Sequence, residues 1–285
     1  MSSDFRPLVQ YAGGKTNVAG FLVGLFPPHN LYVDMFCGGL SVSLAKPKTM
    51  SGAEWFNDRY NVLVNFFQVI KDCPDDFVTY FKERYVFDSE TLYLRHTELL
   101  RNATEFEMPN VELAVAFWLT QEQTYTGRNA VAGTSYRYAD KRIGKRHYLD
   151  LDLSRISALH DRLQGVQVFC RDFRHIYKML ADEATTFIFQ DPPYWNVSGS
   201  VDYACRFSWQ DHADLAELNK STKARWLMTI NDHPDIRGLY EGWAYIRPYS
   251  FRYQVVAQER TELLISNYDT MAQLGPLFTF MEGGQ

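Results

Sequence analysis

The sequence predicts an open α/β fold, and two observations carry that prediction. Strand-like apolar runs recur along the chain, each ending in an acid: Leu31 to Asp34, Glu54 to Asp58, Val166 to Asp172, Thr186 to Asp191 and Arg225 to Asp232. Segments with helical character separate them, the clearest carrying Val62, Leu63, Phe66, Phe67 and Ile70 on one face. Strands alternating with helices build a mostly parallel sheet. Such sheets bind ligands at the carboxyl ends of their strands, so the acids are expected to gather on the ligand-binding edge.

The elements follow in order. Leu31 to Asp34 runs into Met35-Phe36-Cys37-Gly38-Gly39, and Ser41 to Ala45 opens a helix after those glycines. Glu54 to Asp58 precedes the helix that begins at Asn61, and further helices are read over 151–163 and 212–221. The tail differs: Ala244 to Phe251 and Thr261 to Tyr268 read as two strands with a short link, a final antiparallel hairpin. Between about Pro74 and Asp150 the alternation stops. Phe77 to Tyr85, Ser89 to Arg101 and Val111 to Thr124 read as helices, followed by a Gly-rich stretch from Gly127 to Ser135 and a basic one up to His147. The chain is therefore read as one core domain in two parts, 1–73 and 151–285, with a mainly helical domain inserted at 74–150.

Composition narrows the class. The chain has 285 residues, 46% hydrophobic and 22% charged, as expected of a globular protein with a sizeable core. No apolar run approaches the roughly 20 residues of a membrane span, so no membrane partner is expected. The N-terminus lacks the basic-then-apolar layout of a signal peptide. Cys37, Cys73, Cys170 and Cys205 form no CxxC pair, and the seven histidines fall at no zinc-ligand spacing. A reducing cytoplasm and no metal are the expectations. The net charge of −5 disfavours nucleic acid, although the distribution of charge counts for more than its sum. Aromatic content is 15%, enough to supply base-stacking rings beyond the core.

The most informative residues are Asp191-Pro192-Pro193-Tyr194, at the end of the run Thr186 to Phe189. Proline fixes φ and lacks an N–H, so this backbone is stiff and presents acceptors. The Asp191 carboxylate and the Pro192 carbonyl could each take a hydrogen bond from one planar amine, with the Tyr194 ring stacked on the ring that bears it. An Asp-Pro-Pro turn after a strand is the plain alternative. Asp34 and the turn through Phe36, Cys37 and Gly38 form a strand end, glycines and a helix start, without the spacing of GxGxxG. Lys15, in Tyr11-Ala-Gly-Gly-Lys15, lacks P-loop spacing, so no phosphate cradle is expected. Asp58 lies about 20 residues past the glycines, where an acid meets ribose hydroxyls; otherwise it is a helix N-cap. Acids without a phosphate loop suit a cationic cofactor with a nucleoside part, such as S-adenosyl-L-methionine. Asp172 could meet its adenine and Phe173 stack on it, or Phe173 could simply be core.

These residues in this order resemble the Dam-type DNA adenine-N6 methyltransferases, especially their bacteriophage branch. The resemblance rests on Tyr11 to Lys15, Val33 to Leu44, Asn57-Asp58, Asp191 to Tyr194, Asn231 to Pro234 and Glu262 to Tyr268. It implies a Rossmann-like S-adenosylmethionine-dependent methyltransferase sheet. Tyr11 and Lys15 correspond to the family's N-terminal cofactor motif, Asp34, Phe36 and Gly38 to its glycine motif, Asp58 to its ribose acid, and Asp191 to Tyr194 to its catalytic motif. Leu40 stands where many members have a third glycine, and Met35 where proline is common. The implied reaction moves a methyl group to N6 of a flipped-out adenine in double-stranded DNA, by a monomer or weak dimer in a bacterial or phage-infected cell. Methylation of adenine in RNA or of a glutamine amide, or a silent DNA-binding protein on the same fold, are the alternatives. The basic stretch is the expected DNA contact, against a merely solvated charged face. Arg128 and Arg137 would read bases and Lys141, Arg142, Lys145 and Arg146 would meet phosphates, with Asn129 a further DNA contact.

Overall fold

The computed structural model describes residues 7–9, 14–84, 90–124, 153–180, 184–196, 205–252 and 259–273. Seven strands form one sheet: β1 (Leu31–Asp34), β2 (Ala53–Asp58), β3 (Gln167–Cys170), β4 (Thr186–Gln190), β5 (Arg225–Asn231), β6 (Tyr245–Arg252) and β7 (Glu259–Ser266). Their order is β3-β2-β1-β4-β5-β7-β6. The first five run parallel, while β7 pairs antiparallel with both β5 and β6. The predicted C-terminal hairpin is present, with its second strand inserted beside β5.

The strands are apolar on both faces because helices cover both. Phe187 and Phe189 of β4 point into one core cluster while Ile188 points into the other. Leu227 and Met228, and Leu264 and Ile265, divide the same way. One face carries α1 (Ala19–Gly24), α2 (Ser41–Ala45), α3 (Asn61–Asp72) and α7 (Leu153–Leu163). The other carries α8 (Phe173–Met179), α9 (Trp209–Ser221) and α10 (Pro234–Tyr240).

Within 74–150 the described residues form α4 (Pro74–Arg84), α5 (Glu90–Asn102) and α6 (Val111–Gln123). Phe77 and Phe81 of α4 and Phe117 and Trp118 of α6 join the same cluster as Phe66 of α3. The Asn65 amide on α3 ties this packing by donating to the Asn110 carbonyl and accepting from the Asn110 N–H. Arg128, Asn129, Arg137, Lys141, Arg142, Lys145 and Arg146, and Tyr11, lie outside the described residues.

A buried ionic triad holds β2 against α7. Glu54 is 4% exposed and receives Lys46 Nζ at 2.9 Å and a two-pronged contact from Arg162 at 2.5 and 2.8 Å. Burial alone would raise the Glu54 carboxyl, but the Arg162 and Lys46 bonds outweigh it and hold it low.

Candidate active site

β1 and β4 are neighbours, but the sheet grows outward from them in opposite directions. Their carboxyl ends therefore open a cleft at the topological switch point, where open α/β sheets bind ligands. About 980 Å³ of space lies there, part of it open to solvent. Lys15, Asp34, Phe36, Cys37, Gly38, Asp58, Asp172, Phe173 and Asp191 to Tyr194 all line it. Asp232, at the end of β5, departs from the expected gathering of acids: it pairs with Arg237 of α10 at 2.6 and 2.7 Å.

The floor is the turn after β1. Gly38 sits at φ +44° and donates its N–H to Asp58 Oδ2 at 3.0 Å. Leu40 is also left-handed, at φ +64°, a conformation that costs a residue with a Cβ roughly 1–2 kcal/mol. Its side chain is fully buried, which offsets that cost. The Met35 N–H donates to the Phe189 carbonyl at 2.9 Å, a bond that proline could not make. Asp34 is 2% exposed; its Oδ2 accepts from Ser43, while Oδ1 has no hydrogen-bond partner among the described residues. Burial, reinforced by Asp191 and Asp58 nearby, pushes its carboxyl up to about 7.

The walls hold the other acids. Asp58 is not the N-cap of α3, a position that Tyr60 occupies. It accepts backbone N–H bonds from Gly38 and Tyr60, joining the glycine turn to the start of that helix. Burial raises its carboxyl against those bonds. β3 ends two residues before Asp172, which caps α8 instead by accepting from the Arg174 N–H at 3.0 Å. Asp172 also pairs with Arg174 and Arg59, at 3.2 and 3.6 Å. Phe173 is 3% exposed, yet its ring borders the cleft beside Phe36 and Phe207, with centroids 5.9 and 5.6 Å away. Core packing and a place on the cleft wall are both realised.

The Asp191–Tyr194 motif follows β4 directly. Lys15 Nζ donates to Asp191 Oδ1 at 2.8 Å, to Oδ2 at 3.0 Å and to the Tyr194 hydroxyl at 2.8 Å. Thr229 of β5 donates to Asp191 Oδ1 at 2.7 Å. The Tyr194 hydroxyl donates to Glu262, which also accepts from Tyr249. Burial raises the Asp191 carboxyl and Glu262 adds to that, while Lys15 and Thr229 oppose it. The next residue, Trp195, is clamped by the Asn231 side chain, which accepts its N–H at 3.0 Å and donates to its carbonyl at 2.9 Å.

Glu262, Thr229, Tyr249 and Phe207 have no expected role from the sequence, yet the first three complete the hydrogen bonding around the motif and Phe207 the aromatic wall. One signal was available: Glu262 is a lone acid opening the apolar run Leu263-Leu264-Ile265. A charge in such a place is buried and needs partners. No group of His, Cys, Asp and Glu able to hold a metal ion occurs among the described residues, and no helix there is long and apolar enough to cross a membrane.

A mostly parallel sheet with an antiparallel C-terminal pair, and an acid-lined cleft at its switch point, define an α/β methyltransferase fold. The chain belongs to the D12 class N6 adenine-specific DNA methyltransferases, whose family model matches residues 11–259. It is also similar to the Type II methyltransferase M.CviBI of Paramecium bursaria Chlorella virus NC1A. The two are 24% identical over 280 residues, covering 92% of this chain and all of that protein. The activity is methylation of adenine N6 in DNA, and it requires a methyl donor.

Proposed function

We propose that this enzyme takes its methyl group from S-adenosyl-L-methionine and delivers it to an adenine flipped out of double-stranded DNA and held by Asp191 to Tyr194. The observation that carries this reading is one cleft containing Asp34, Asp58, Asp172 and the Asp191–Tyr194 motif together. Asp34 Oδ1, buried among protein atoms with no hydrogen-bond partner among the described residues, fits the ammonium of the donor. Asp58 suits its ribose hydroxyls, and Phe36 and Phe173 with Asp172 suit its adenine. Tyr11, Lys15, Cys37, Gly38 and, at the edge shared with the base, Asp191 complete the cofactor set. Bound there, the donor supplies a sulfonium methyl carbon, which the N6 lone pair takes as sulfur keeps the bonding electrons.

The chain's own residues prepare the amine. Adenine N6 is a poor nucleophile because its lone pair is delocalised into the ring. Asp191 and the Pro192 carbonyl accept its two N–H bonds and stabilise the positive charge that develops on nitrogen. Asp191 Oδ2, less engaged than Oδ1, takes the departing proton and passes it to solvent. Pro193 keeps the segment rigid. Tyr194 stacking contributes about 1–3 kcal/mol toward holding the flipped base.

We assign target recognition to the inserted segment 74–150, with Arg128 and Arg137 on bases, Lys141, Arg142, Lys145 and Arg146 on phosphates, and Asn129 a further DNA contact. The support is the concentration of basic residues between Arg128 and His147, with Asp140 the one acid among them, within an acidic chain. We further read a monomer or weak dimer on DNA, in the cytoplasm of a bacterial or phage-infected cell. A restriction-modification role rests on the Type II designation of the viral relative.

The test is tritiated methyl transfer to unmethylated DNA, with mass spectrometry of the digested product. Wild type should yield N6-methyladenine. Asp191→Ala should abolish transfer while calorimetry shows S-adenosylmethionine affinity within a few-fold of wild type. Transfer at near wild-type rate by that variant would overturn the mechanism.

A further inference from the structure

Two carboxylates share Lys15. Its Nζ lies 2.8 Å from Asp191 Oδ1 and 3.7 Å from Glu262 Oε2. The lysine side chain is 2% exposed and that of Glu262 3%, so the second distance is not a solvent-screened surface contact. Tyr194 links the two ends of the arrangement: its hydroxyl accepts from Lys15 and donates to Glu262. The strands put Glu262 there by register, since it faces Asn231 of β5 on one side and Tyr249 of β6 on the other.

This geometry conflicts with the reaction. An ammonium on both oxygens of Asp191 makes the carboxylate a weaker acceptor. It also places positive charge beside the nitrogen on which positive charge must develop. The conflict disappears if the lysine moves roughly 1 Å toward Glu262, which brings it to hydrogen-bond distance there. The Tyr194 contact can be kept through that movement.

We infer that Glu262 is a positioning residue of the methyl transfer: it takes Lys15 when the adenine amino group takes Asp191. The inference rests on the adenine-methylating function proposed above. Glu262 also fixes the Tyr194 hydroxyl, and so the plane of the ring on which the base stacks. It touches neither substrate nor cofactor and acts through Lys15 and Tyr194.

The test is steady-state kinetics and calorimetry on Glu262→Gln, Glu262→Asp and the double variant Lys15→Gln/Glu262→Gln. Glutamine keeps the size and can still hydrogen-bond both tyrosines, but it cannot neutralise the lysine. Glu262→Gln should lower kcat on the order of 10²-fold, as a misplaced reacting group does, with S-adenosylmethionine Kd within about twofold of wild type. Glu262→Asp, which keeps the charge, should recover about tenfold of that loss. At saturating cofactor the double variant should turn over faster than Glu262→Gln alone, because no lysine then holds Asp191. Wild-type kcat in Glu262→Gln, no recovery in Glu262→Asp, or a double variant slower than Glu262→Gln would overturn the inference. Wild-type enzyme that methylates no DNA would instead overturn the function on which it rests.

Discussion

Asp34 couples the cleft to pH. Its folded carboxyl holds a proton up to about 7, against 3.8 as the ordinary value. The folded state thus binds more protons than the unfolded chain between those values, and the unliganded protein loses stability as pH rises through that window. Binding of a cationic donor has the opposite slope, because the ammonium needs the carboxylate. S-adenosylmethionine affinity should therefore strengthen from pH 5.5 to 7.5, and Asp34→Asn should flatten both profiles; calorimetry and thermal melts across that range would show it. Leu40 sets strain against burial. Glycine would relieve about 1–2 kcal/mol of left-handed strain, but removing a fully buried leucine costs about 2–5. Leu40→Gly is accordingly expected to destabilise by about 2 kcal/mol, midway in a range of about 0–4, in urea unfolding. Glycine is therefore not a better fit to this core. Met35 belongs to the same logic, since its N–H bonds β4 where proline could not.

At the scale of elements, strands were legible because five of them are short apolar runs between polar turns, whose alternate side chains fill the two core clusters. Their ends were less so. Asp172 reads in sequence as the end of a strand, but β3 stops at Cys170 and the acid caps α8, a helix of only seven residues. α10 was hidden for a similar reason: it is short, and its signals are His233 accepting from Asp235 N–H and proline in the first turn. The tie between β2 and α7 was not legible either, because Arg162 lies 108 residues from Glu54 in the chain. Removing the carboxylate would leave two buried cations facing each other. Glu54→Ala should cost about 3–5 kcal/mol in chemical denaturation, while replacing all three by apolar residues of similar volume should cost far less.

For the whole molecule, two stretches far apart in the chain meet at the cleft. β1 and β2 come from the first, while β4, β5 and β7 come from the second. A ligand that touches both binds only the folded chain and stabilises it. S-adenosylmethionine at 100-fold its Kd should add about 2.7 kcal/mol, read as a rise of several degrees in Tm. Asp58→Ala, which removes the acid joining the glycine turn to α3, should abolish that rise. DNA binding should be a separate term. Alanine at Lys141, Arg142, Lys145 and Arg146 should weaken it and flatten its dependence on salt by close to one phosphate contact each, without moving cofactor affinity. Equal binding at low salt would exclude those residues from the interface.

The sequence by itself determined the sheet, the ligand edge and most of the cleft, because strand ends, glycine turns and the Asp191–Tyr194 motif are local patterns. A local pattern needs only its neighbours in the chain to be recognised. The surroundings of Asp191 were decided by tertiary structure alone. Lys15, Thr229 and Glu262 lie 176, 38 and 71 residues from it in the chain; parallel and antiparallel register place Thr229 and Glu262, and the segment before α1 brings in Lys15. Their charges and hydroxyls become meaningful only when burial removes water and forces each polar group to find a partner.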